Sequence, residues 1–193
     1  MTELRPEEAK NFRLLGHDPS AAWGGGSLIQ VIDGIAYVGA VGGSGYAGQE
    51  GFTIHDVSDP TKPHKIGEVN APPGVHMHKV RIVEDQFLYV NAETLPGDKG
   101  KGARAGFFIF DISNRKEPRQ IGFYDLPGSG PHRFGIDNER KLAFFPNDAE
   151  GWNKRVIWTI DIKDPLKPEV VSIWGLPIQK ADGKGEGGDP MPA

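Results

Sequence analysis

The chain has 193 residues, 37% of them hydrophobic and 25% charged, with a formal net charge of −4. That balance suits a soluble protein with a sizeable core and argues against nucleic-acid binding, which needs a basic face. The absence of cysteine excludes disulfides, thiolate metal ligands and a cysteine nucleophile, and fits a cytoplasmic protein.

Residues 1–26 read as an N-terminal arm. Its charged start lacks the apolar stretch of a signal peptide, and no run anywhere approaches the length of a membrane span. The arm ends in Asn11-Phe-Arg-Leu-Leu-Gly16, a candidate strand, and Trp23-Gly-Gly-Gly26. Residues 27–178 then read as three units, at 27–70, 76–126 and 131–176. Unit one has strands at 27–32, 35–39, 52–56 and 65–69, with Asp33-Gly34 as a tight hairpin turn and a Gly-rich loop over 42–51. Unit two repeats the order at 79–83, 87–90, 106–111 and 120–124, and unit three at 133–136, 142–145, 156–161 and 170–174. Residues 179–193 carry no strand pattern and read as a flexible tail or linker.

One phrase occurs three times: Ile54-His-Asp-Val-Ser-Asp-Pro-Thr-Lys-Pro63, Ile109-Phe-Asp-Ile-Ser-Asn-Arg-Lys-Glu-Pro118 and Ile160-Asp-Ile-Lys-Asp-Pro-Leu-Lys-Pro168. Each is an apolar strand ending in Asp, then a polar turn closed by Pro. The aspartates Asp56, Asp111 and Asp161 recur at intervals of 55 and 50 residues. Strand-rich repeats at such spacing predict propeller blades, each a four-stranded antiparallel sheet. Proline fixes φ and lacks an N–H, so it marks the corner between the last two strands.

The phrase resembles the LVIVD-repeat family of β-propeller proteins, over residues 27 to about 176. The resemblance implies the fold and carries little about chemistry. It also implies about twice as many repeats as three, so the expected fold class is an all-β, incomplete propeller ring completed by a second chain, homologous or identical. Propellers have about four to eight blades.

Blade topology sorts the loops. With strands a to d counted outward from the axis, the a–b and c–d turns lie on one face. The b–c loops and the connections between blades lie on the other. That second face collects the chemistry. Aligning the innermost strands sets His78 on His132 and Lys79 on Arg133, with Gly26 as the matching position in unit one. His76 and His78 are two apart, so an extended chain points both to one side. The b–c loops start with Asn91 and Glu93 in one unit, and Asn147 and Asp148 in the next. Three imidazoles with a carboxylate suit a divalent transition metal such as Fe, Cu or Zn. The expected ligands are His76, His78 and His132. Glu93 or Asp148 would serve as further ligand or base, and Arg133, with Lys79 and Arg81, would orient an anionic substrate. His17 is a further candidate for the same mouth, whereas His55 and His64 read as structural. Without a metal, the histidines would act as general acid and base.

No phosphate-binding loop or nucleophile elbow is present. Two functions remain open: a metal-dependent enzyme acting on a small anionic organic molecule at the axial mouth, or a non-catalytic scaffold for protein–protein interaction. No nucleic-acid or membrane partner is expected.

Overall fold

The structure is a computed structural model that describes residues 13–18, 25–41, 51–94 and 103–182. Most of the expected arm, the Gly-rich loop after the second strand and residues 183–193 of the expected tail lie outside the described residues. Among the described residues, thirteen strands form three antiparallel sheets, one per predicted unit. Blade 1 comprises β1 (Gly25–Ile32), β2 (Ile35–Val41), β3 (Gly51–Asp56) and β4 (His64–Asn70). Blade 2 comprises β5 (Val75–His76), β6 (Val80–Val83), β7 (Phe87–Thr94), β8 (Gly106–Asp111) and β9 (Arg119–Asp125). Blade 3 comprises β10 (Gly135–Asp137), β11 (Leu142–Asn147), β12 (Val156–Asp161) and β13 (Glu169–Trp174). Blades 1 and 3 run in simple sequence order, and in blade 2 β5 and β6 both lie beside β7, which is followed by β8 and β9, the meander of a propeller blade. Among the described residues, no helix is long and apolar enough to cross a membrane.

Local chemistry explains the strand limits. Asp33 and Gly34 both take positive φ, at 48° and 73°, which closes a two-residue hairpin between Ile32 and Ile35. The repeated aspartates each hold a turn. Asp56 accepts from the Ser58 hydroxyl and amide, Asp111 from the Ser113 amide and Asp161 from the Lys163 amide. These hydrogen bonds favour the ionised form and hold all three carboxyls below the usual carboxylate range. The ladder between the last two strands slips by one residue at the same place in each blade, after Ile54, Ile109 and Thr159. Such a bulge increases the local twist.

Two apolar seams join the blades. The first packs Ile35, Tyr37, Phe52 and Ile54 of blade 1 against Val80, Leu88, Val90, Phe108 and Phe110 of blade 2. The second packs Tyr89, Phe107 and Ile109 of blade 2 against Phe134, Phe145 and Ile160 of blade 3. Phe52 meets Phe110 edge-on at 5.3 Å, and Phe107 stacks on Phe145 at 4.6 Å. A polar latch repeats at both seams. The Tyr37 hydroxyl donates to the Arg115 carbonyl at 2.9 Å, and the Tyr89 hydroxyl to the Pro165 carbonyl at 2.8 Å. Arg115 and Pro165 hold equivalent places, four residues after Asp111 and Asp161. Burial raises both tyrosine pKa values, that of Tyr37 to about 12.

Each blade therefore has a front, facing the next blade, and a back, facing the preceding one. No blade covers the front of blade 3 or the back of blade 1 among the described residues. Residues 13–18 run past blade 1 instead. Gly16 lies against Pro60 and Pro63, and Asp18 pairs with His55 at 3.0 Å.

Candidate functional site

The site grows from an irregularity in the innermost strand of blade 2. β5 and β6 both pair with β7, but the register slips across the three residues between them, 77–79, where the one backbone bond to β7 among those described is from the Asn91 amide to the Lys79 carbonyl. The Asn91 side chain fills the gap. Its Oδ1 accepts from the amides of His78 and Lys79, at 2.9 and 2.7 Å. Its Nδ2 donates to the carbonyls of His76 and Pro131, at 3.3 and 3.1 Å. Asn91 is fully buried, so these bonds replace water that cannot reach it. One side chain thus fixes both the chain segment bearing His76 and His78 and the connection bearing His132.

The outcome is a cluster. His76, His78, Glu93 and His132 offer ligand atoms that all lie within 4.8 Å of one another. A tetrahedral shell with bonds of about 2.1 Å sets its ligand atoms about 3.4 Å apart, so the rearrangement needed is of side-chain size. The rings of His76 and His78 lie 3.9 Å apart, and those of His78 and His132 4.8 Å. His78 is 1% exposed, and its Nε2 has no hydrogen-bond partner. Leaving such a nitrogen unsatisfied costs about 1–3 kcal/mol, a cost that bonding to a metal removes. Burial, together with the nearby His76 and Lys79, pushes the His78 pKa down to about 2. The ring is therefore neutral at pH 7, the form that binds a cation.

Glu93 is engaged at both oxygens. Oε2 lies 2.7 Å from His132 Nδ1, and Oε1 accepts from Arg155 at 2.8 Å. Arg155, which no sequence signal singled out, also donates to the Ser129 hydroxyl at 3.0 Å. Ser129 in turn bonds Asp148 through its amide, at 3.2 Å, and its hydroxyl, at 3.4 Å. Asp148 thus sits at the far end of a chain running through Ser129, Arg155 and Glu93 to His132. It is not among the four clustered residues.

The register confirms the equivalence of His78 with His132 and of Lys79 with Arg133, since Val80 opposite Val90 matches Gly135 opposite Phe144 one step further along. It corrects the unit-one position. Counting back from Ile29 opposite Val38 puts Ser27, not Gly26, in the place of His78. The inner strands of the two blades start at different register positions, so matching their first residues misplaces the correspondence by one. Ser27 accepts a hydrogen bond from Lys79 Nζ. Lys79, Arg81 and Arg133 form a cationic group beside the cluster. Burial, and then the charges of Arg133 and Arg81, lower the Lys79 pKa. Arg133 is exposed and makes no hydrogen bond or ion pair among the described residues. His17 is exposed beside Gly16, near the c–d turn of blade 1, and does not join the cluster. His55 bonds Thr53 and Asp18, and His64 bonds the Lys62 carbonyl.

Sheet order, repeated bulges and seams define an all-β repeat protein built of propeller-type blades. Residues 29–71, the body of blade 1, match the LVIVD repeat family. Comparison with curated proteins gave no match.

Proposed function

We propose that the cluster is a divalent transition-metal centre, with His76, His78 and His132 as ligands, in a protein that acts on a small anionic organic molecule at the axial mouth. The observation that carries this reading is the His78 ring: buried, neutral, with a nitrogen lacking any partner, and faced by two more imidazoles. Zn, Cu and Fe all accept imidazole, and a metal bound here would supply a Lewis acid. Glu93 orients His132 through Nδ1, as carboxylates do for metal-bound histidine. Arg133 holds the carboxylate or other anionic group of the substrate, helped by Lys79 and Arg81. A cysteine-free chain suits the cytoplasm, where this reading places the protein. Metal analysis of the purified protein tests the reading. Near-stoichiometric metal, lost in His132→Ala with the fold intact by circular dichroism, supports it. Metal-free parent protein that takes up none of Zn, Cu or Fe at micromolar concentration overturns it.

A second reading, a non-catalytic scaffold, is favoured by the apolar front of blade 3. There Trp174 is 60% exposed. Loss of metal without loss of a captured protein partner would favour it over the first.

A further inference from the structure

The inner strands carry more positive charge than the cluster beside them answers. Lys79 and Arg133 hold equivalent places at the entries of the inner strands of blades 2 and 3, next to the histidines. Arg81 follows two residues after Lys79, on β6. Side chains alternate along a strand. Val80 and Ile82 belong to the first seam and Val83 to the second, so Arg81, in step with Val83, lies on the side of β6 toward blade 3. Strands β6 and β10 are neighbours, and the charges of Arg133 and Arg81 both act on Lys79. The three cations therefore form one group.

Protein partners leave most of that charge unmatched. Lys79 Nζ donates to the Ser27 hydroxyl, and Arg81 Nη1 to the Val80 carbonyl at 3.3 Å. Among the described residues, none of the three cations forms an ion pair. Glu93 is the carboxylate whose charge reaches Lys79, but its oxygens are already engaged by His132 and Arg155. Lys79 and Arg81 are half-buried. Their charges are partly withdrawn from water with no counter-ion in its place, which is costly. An anionic ligand removes that cost, and a single carboxylate removes only part of it. Held between Lys79 and Arg133, one carboxylate leaves Arg81 unmatched, roughly 6–7 Å further along the extended strand. The single bond of Arg81 to Val80 leaves donors of its guanidinium fork for a second carboxylate.

We propose that the axial mouth takes a dicarboxylate. Arg133 and Lys79 hold the carboxylate beside the histidines, and Arg81 holds the other. This rests on the mouth being the binding site, as proposed above, and on no property of a metal. The cations thus divide by role. Arg133 and Lys79 serve any carboxylate that enters, whereas Arg81 selects for the second one.

Isothermal titration of the full chain at low ionic strength, where screening is least, tests it. The probes are adipate, hexanoate as a monoanion of the same length, and inorganic phosphate as a compact anion. Adipate is expected to bind at least about tenfold more tightly than either of the others. Arg81→Gln is expected to abolish the preference over hexanoate with the circular dichroism unchanged, and Arg81→Lys, which keeps the charge, to retain part of it. Arg133→Gln is expected to weaken adipate and hexanoate alike. Equal affinities for adipate and hexanoate, tighter binding of phosphate than of adipate, or a preference that survives Arg81→Gln overturns the proposal. So does a parent chain that binds no adipate at millimolar concentration. Metal content of the same sample keeps the two readings apart. Metal-free protein that prefers adipate overturns the metal reading alone, and metal-loaded protein without the preference overturns the dicarboxylate alone.

Discussion

At the scale of single residues, the geometry of the cluster is held by hydrogen bonds, from Asn91 and Arg155 outside it and from Glu93 within it. Asn91 sets the backbone of His76 and His78. Glu93 sets the ring of His132, and Arg155 holds Glu93. The three histidines and Glu93 were legible in the sequence, because two of the histidines share one alignment position and the third lies two residues away. Arg155 was not legible. It sits 62 residues from Glu93 in the chain, outside any motif, and only the stacking of blade 3 on blade 2 brings it over the carboxylate. Asp148, at the start of the b–c loop of blade 3, holds the register position equivalent to Glu93, but its oxygen accepts from Ser129 and it does not join the cluster. A direct expectation follows from Glu93 having both oxygens engaged. Glu93→Gln keeps a hydrogen-bonding shape and weakens metal binding about 10–100-fold, with the stoichiometry unchanged in a competition titration against a chromophoric chelator. Complete loss of stoichiometric binding in that variant would make Glu93 a ligand rather than a positioning residue.

At the scale of elements, strand alternation and Pro turns placed all three sheets, with most strand limits within a residue or two, but β7 runs four residues past its expected end at 90 and β5 was not expected. Hydrophobic alternation and turn chemistry act locally, so a single sequence shows them. The broken inner strand of blade 2 was hidden for the opposite reason. There a side chain from the neighbouring strand replaces backbone ladder bonds, and no local pattern announces it. The repeated phrase is a structural device, and its pH behaviour says so. The turn aspartates have folded-state pKa values below the unfolded ones, so their contribution is complete above about pH 4. It is withdrawn as the pH falls through the lowered folded values. Asp111→Ala is therefore expected to lower Tm at pH 7, and the difference from the parent is expected to shrink below about pH 3. A difference that stays constant from pH 7 to pH 2 would show that ionisation of Asp111 does not support the turn.

At the scale of the whole molecule, the three blades among the described residues were readable at once from the repeat. What the sequence could not show was which positions of successive blades correspond, Phe144 with Tyr37 and Tyr89, and His55 with Phe110 and Ile160. Those correspondences exist only once the ladders fix the register. The same register brings two chain segments, 75–79 and 131–133, together at one face, where the inner strands begin. The claim that this meeting place is a metal centre is tested most directly by X-ray absorption spectroscopy of protein loaded with one equivalent of Zn. The account predicts a first shell containing three imidazole nitrogens at about 2.0–2.1 Å, reduced by one nitrogen in His132→Ala. A shell of oxygens alone, or one unchanged by that substitution, would contradict it.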